Sequence, residues 1–154
     1  MPRKSVKTPA VAAQRSAPQL RPQVVSNVGL YFAAYRLSQM GWNVMPTSRN
    51  ARGVDILAYD MSARRFRGVQ VKTLSKRVPV PLGRSIDRFM GDWWIIVAKI
   101  ATNNPECFIM KPDEVRRLAI RTKESPEPWY YLPPTRYDTD KFREAWDRIG
   151  PGTS

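Results

Sequence analysis

Residues 53–72 read GVDILAYDMSARRFRGVQVK, and the fold turns on how that stretch is read. It divides into two short strands, 54–59 and 68–73, joined by a turn near 61–63. Ile56, Leu57 and Ala58 follow Asp55 in the first strand; Val69 and Val71 alternate with Gln70 and Lys72 in the second. Side chains alternate faces along a strand, so Gln70 and Lys72 share a face, and hairpin pairing can bring Asp55 beside them. An acid, an amide and a lysine then converge on one sheet edge. Arg64, Arg65 and Arg67 crowd the turn and read as a solvated face.

Upstream of the hairpin, Ser26 and Gly41 bracket a helix as N-cap and left-handed C-terminal cap. Leu30, Ala33, Ala34, Leu37 and Met40 form its apolar stripe, broadened by Tyr31, Phe32 and Tyr35. A strand centred on 43–45 follows, then the loop SRNARG. Downstream, VPVPLG is extended and belongs at a sheet edge because of its prolines, and 85–90 is expected as one helical turn. DWWIIVAKI is a buried strand, with ECFIM as its antiparallel neighbour. Pro112 opens a helix through 121, with Asp113 and Glu114 in its first turn. ESPEPWYYLPPTRY reads as loop with its aromatics over the sheet, and a last helix is expected over 139–149, between Thr139 and Gly150. The order describes an α/β fold, a mixed central sheet flanked by helices.

Charge narrows the partners. The 154 residues carry 26 Lys+Arg against 13 Asp+Glu, a net charge of +13. That field favours a polyanion, nucleic acid above all. The first acid in the chain is Asp55, and eight basic residues precede it. Residues 1–24 lack periodicity and read as a disordered basic arm, 25–150 as one domain, and 151–154 as a flexible tail. The chain has no histidine, so the commonest zinc ligand and general base are missing, and Cys107 has no partner for a disulfide. No apolar run is long enough to span a membrane, and no secretory signal core precedes the domain. Together these point to a reducing, cytoplasmic setting.

Phosphodiester hydrolysis requires an activated water and relief of charge at phosphate, which one or two Mg²⁺ ions can supply. Mg²⁺ takes oxygen ligands, one or two of them carboxylates, with waters and substrate phosphate. An Asp at the start of one strand and X-x-Lys on its partner meets that need compactly. An alternative stays open at this point: Asp55 and Lys72 as an ion pair between adjacent strands, with QVK an ordinary half-buried strand.

The run from Ser26 to Lys72, a helix ending LSQMGW, then GVD, then QVK, resembles the core of the PD-(D/E)XK nucleases, the restriction-endonuclease-like fold. QVK in place of Glu-x-Lys is similar to a branch that includes certain intron-encoded homing endonucleases. The WWIIV and CFIM strands extend the likeness over roughly 25–150. The resemblance implies a metal-dependent DNA endonuclease using Mg²⁺ or Mn²⁺, often acting as a homodimer. Asp55 and Gln70 would hold the metal, with the Val71 carbonyl as a further ligand, and Lys72 would sit at the attacking water. Arg49, Arg52 and Lys76 would contact phosphate. The likeness departs at one position: where many members carry a Glu on the first helix, Leu30 follows Gly29. Asp60, Asp87 and Asp92 are the acids that could make up the loss. A catalytically weak or inactive nucleic-acid-binding protein of the same fold is therefore the competing expectation.

Overall fold

A computed structural model describes residues 19–48, 53–124 and 126–153. The expected basic arm lies largely outside them, as do Arg49 and Arg52. The first helix, α1, spans Pro22–Gln39 and so begins earlier than the expected Ser26 cap. Pro22 is the reason: its ring pre-sets a helical φ at the first position and forces Arg21 to be extended, at ψ 145°. Ser26 instead lies within the helix, its hydroxyl donating to the Pro22 carbonyl at 3.1 Å. The far end follows expectation. Gly41 takes φ +88°, and the N–H groups of Gly41 and Trp42 donate back to Ser38 and Leu37, which satisfies two terminal carbonyls.

The strands β1 (Asn43–Pro46), β2 (Ile56–Tyr59) and β3 (Phe66–Thr73) form an antiparallel meander. β4 (Val80–Gly83) leaves the sheet, and β5 (Trp93–Ala98) returns to pair parallel with β3. β6 (Glu106–Met110) closes the far edge antiparallel to β5, giving the order β1-β2-β3-β5-β6. Every residue of β5 is buried, and alternation divides its side chains between two cores. Trp93, Ile95 and Val97 meet Ala33, Leu37 and Trp42 on the α1 face. Trp94, Ile96 and Ala98 pack on the other face with Leu74, Val80, Phe108 and Tyr137.

That second face differs most from expectation. The helix α2 (Pro112–Leu118) ends short of residue 121, because β7 (Ile120–Arg121) pairs with β8 (Tyr130–Leu132). β8 pairs in turn with β4, so a small sheet of order β4-β8-β7 replaces the expected loop. VPVPLG does lie at its edge. Residues 85–90 form a turn and bends rather than helix, with the Ser85 hydroxyl taking up the Asp87 N–H.

After α3 (Pro134–Tyr137), the expected helix over 139–149 reduces to one 3₁₀ turn, Trp146–Arg148. The preceding backbone is needed elsewhere. Ile109 donates to the Phe142 carbonyl, Glu144 donates to the Cys107 carbonyl, and the Glu144 carboxylate accepts from Cys107 N–H at 2.7 Å. The segment thereby covers the open edge of β6.

Candidate active site

The site arises where the β2–β3 ladder stops. Ile56 pairs with Val69, but β3 runs on to Thr73, leaving its last residues without a β2 partner. The Asp55 N–H makes the final ladder bond, to the Val69 carbonyl at 2.8 Å. Beyond it the Asp55 side chain takes over: Oδ2 accepts from Val71 N–H at 2.7 Å and from Gln70 Nε2 at 2.8 Å. On the other side, Thr47 N–H donates to the Asp55 carbonyl at 2.9 Å, so β1 braces the same residue.

This interruption of the sheet is the floor of a cleft of about 480 Å³. Asp55, Gln70 and Lys72 all line it, as expected, and α1 forms one wall with Gln23, Asn27 and Leu30. Lys72 is half-buried, its Nζ 5.4 Å from the centre of the Trp94 ring. Burial pushes the Lys72 ammonium below the ordinary lysine range, while the negative charge of Asp55 acts in the opposite direction. Asp55 thus influences Lys72 through charge, whereas its close hydrogen bonds go to Val71 and Gln70. The simple ion pair between adjacent strands does not form.

The other expected residues separate. Leu30 shares the cleft with Asp55. The three acids named as substitutes for a helix carboxylate lie outside it. Asp60 is buried in the hairpin turn, accepting from Arg64 N–H, Arg65 N–H, Arg65 Nε and the Ser62 hydroxyl. Asp92 accepts from Gly68 N–H at 2.8 Å, and Asp87 is exposed on its turn. Lys76 lies beside a neighbouring depression, with Leu20 and Ser75, rather than in the cleft.

Among the described residues, no three His, Cys, Asp or Glu side chains gather as a metal cage. What the cleft does offer is hard oxygen: the second oxygen of Asp55 and the Gln70 amide oxygen have no hydrogen-bond partner among the described residues. That donor set suits Mg²⁺ held mostly by water and phosphate, with one carboxylate as the fixed point. Residue-by-residue reading overlooked Gln23 and Asn27, although their spacing of seven and three residues before Leu30 puts them on its side of the helix. It also overlooked Trp94, which the β3–β5 register sets directly beside Gln70.

No family model matches the chain, and neither does any curated protein sequence. A solved structure does: the bacterial homing endonuclease I-Ssp6803I is similar over 83% of this chain and 92% of its own, at 16% identity and a TM-score of 0.53. The likeness shows that the chain has a nuclease-like α/β fold, a five-stranded mixed sheet flanked by helices. No helix among the described residues is long and apolar enough to cross a membrane.

Proposed function

We propose that the protein is a metal-dependent DNA endonuclease of the PD-(D/E)XK type in its Gln-x-Lys form. The observation that carries the reading is the Asp55 carboxylate anchored on Val71 and Gln70 in a cleft shared with Lys72. The nuclease-like fold and the net charge of +13 support it from outside the site.

Asp55 is the fixed ligand for Mg²⁺ or Mn²⁺, with Gln70 as its neutral companion. Turning the Gln70 amide, a broad terminal torsion, presents its oxygen beside Asp55 in place of Nε2. The Val71 carbonyl is a third oxygen on the same strand. When bound, the ion supplies Lewis-acid relief of charge at the phosphate and acidifies water. Lys72 has two tasks. Its ammonium stabilises charge developing on phosphate oxygens, and its N–H groups orient the attacking water. Lys76 and the arginines Arg49 and Arg52 hold the flanking phosphates.

A specific residue favours a second reading. Leu30 occupies the cleft wall where a carboxylate would strengthen metal binding, which supports a nucleic-acid-binding protein of this fold with little or no activity. One assay separates the two. Plasmid DNA incubated with the protein and Mg²⁺ or Mn²⁺ is cut under the first reading, and Asp55→Ala and Lys72→Ala abolish cutting. Salt-dependent DNA binding without any metal-dependent cleavage sinks the first reading in favour of the second.

A further inference from the structure

The run Trp129-Tyr130-Tyr131 leads into β8, and alternation along an extended chain splits it between two faces. Tyr130 and Leu132 turn inward and pack with Val80, Phe108 and Tyr137. Trp129 and Tyr131 therefore share the outer face of the small sheet. The register agrees: Tyr131 pairs with Pro81 of β4 on one side and Ile120 of β7 on the other, and neither belongs to the core. The Thr122 N–H donates to the Trp129 carbonyl at 2.8 Å, which extends the ladder by one pair and holds Trp129 in line. Trp129 is 44% exposed and Tyr131 is half-buried. Two hollows of about 430 and 330 Å³ lie along this face, one beside each ring, and Thr122 lines both.

Pro81 joins this face to the candidate active site. It lines the cleft together with Asp55 and Lys72, and it is the cross-strand partner of Tyr131. Adjacent strands lie about 5 Å apart and two residues along a strand span about 7 Å, so both aromatic residues start within about 10 Å of that cleft wall.

We infer that Trp129 and Tyr131 form a stacking platform for unpaired nucleobases, which receives a single-stranded segment running out of the cleft. The inference rests on the nucleic-acid reading of the cleft and names the form of substrate it takes. Paired bases offer a protein their edges in the grooves, whereas an unpaired base offers its whole face, which an aromatic ring on an open sheet matches. Charge agrees with stacking as the source of affinity. Arg84, Arg121 and Lys123 flank the rings against Glu124 and Glu127, and Arg84 is held by Glu127 at 2.8 Å. The platform is thus nearly neutral in a chain of net charge +13. A groove that tracked a duplex backbone would carry a row of unopposed cations instead.

The experiment is fluorescence anisotropy of the full chain, without metal, against a labelled blunt DNA duplex and the same duplex with an unpaired extension. The extension is expected to tighten binding about tenfold, the size of effect that one stacked base provides. Trp129→Leu keeps apolar bulk without the aromatic face and removes that gain, Tyr131→Leu reduces it, and Trp129→Phe retains most of it. None of the three alters binding of the blunt duplex, and circular dichroism checks that each is folded. Because a stack rather than a charge is lost, the factor lost in Trp129→Leu is the same at low and at high salt. Equal affinity for the two DNAs overturns the inference, and so does a gain that survives both leucine substitutions. A loss confined to low salt overturns it too, since it would mark the rings as a support for nearby cations. Cleavage plays no part in the readout. A Trp129-dependent gain without any cutting under Mg²⁺ keeps the platform and sinks the nuclease reading, while cutting of blunt DNA with no gain from the extension does the reverse.

Discussion

Oδ2 of Asp55 accepts the backbone N–H of Val71 at 2.7 Å, so a side chain stands where the β2–β3 ladder would otherwise have added another residue. Asp55 is thus a structural residue as well as the proposed metal ligand, and the two roles can be separated. Asp55→Ala leaves the Val71 N–H without its partner in a half-buried place and costs about 1–3 kcal/mol of stability. Asp55→Asn keeps an oxygen for Val71 and costs about 1 kcal/mol or less, yet it removes the only carboxylate among the described residues of the cleft lining. Both variants are expected to lose cleavage, while urea denaturation distinguishes them. Full cleavage by Asp55→Asn would remove Asp55 from the mechanism.

Lys72 makes a prediction in pH. Burial lowers its proton affinity in the folded chain, while the unfolded chain titrates near the ordinary lysine value of about 10.4. Between the two values the unfolded state holds more protons, so this group's contribution to stability rises with pH through that window. Below both values both states are protonated and the fold bears the whole penalty of burying the ammonium. Lys72→Met should therefore melt at a higher temperature than the parent below that window, and its advantage should shrink as pH climbs through it. A melting difference that stays flat all the way up to the ordinary lysine value contradicts the burial argument. Cleavage is lost in this variant at every pH.

The hairpin and its neighbours were legible because their signals are local. Gly41 marks a left-handed cap, DWWIIVAKI is apolar at every position of a buried strand, and the turn after Asp60 is short enough to set the register. Pro22 was equally legible, but Ser26 offered a competing start, and a serine within a helix can donate to its own backbone instead of capping. The second face was not legible in the same way. Residues 139–149 have helical composition, yet their backbone is drawn to the edge of β6, where Cys107 and Ile109 supply partners from far away in sequence. Tyr130–Leu132 likewise became a strand through pairing with β4 and β7. At the site, Asp55, Gln70 and Lys72 follow from strand alternation. The reach of α1 into the cleft follows only from how the helix packs across the sheet.

Leu30 tests the limit on metal binding. It lines the cleft with Asp55, and Asp55 is the sole carboxylate among the described lining residues. Leu30→Glu adds a second carboxylate to the cleft, and Mg²⁺ sites commonly use two. The variant should bind Mg²⁺ about tenfold more tightly by calorimetry, a gain of about 1.4 kcal/mol. If the parent is limited by metal occupancy, cleavage at low Mg²⁺ rises in parallel. Leu30 is only partly buried, so the glutamate carries a modest folding penalty that bound Mg²⁺ should offset in thermal melts. Unchanged affinity would mean that this wall of the cleft does not face the ion.

Gly29 controls how close that wall comes. The helix packs onto the end of β3 so tightly that a Cβ on Gly29 would coincide with the side chain of Thr73, whose own Cβ would be 2.7 Å away. Thr73 immediately follows Lys72, so any displacement of α1 here is felt in the cleft. Gly29→Ala should destabilise the protein by about 1–3 kcal/mol, despite alanine's better helix propensity, because the overpacked contact is stiff. Thr73→Ala in the same chain removes the hydroxyl and methyl and should restore part of the loss, since neighbouring sites of this kind are coupled. Urea denaturation of the two single variants and the double variant measures that coupling. A Gly29→Ala protein as stable as the parent, with no coupling to Thr73, would show that α1 is free to lift from the sheet at this point.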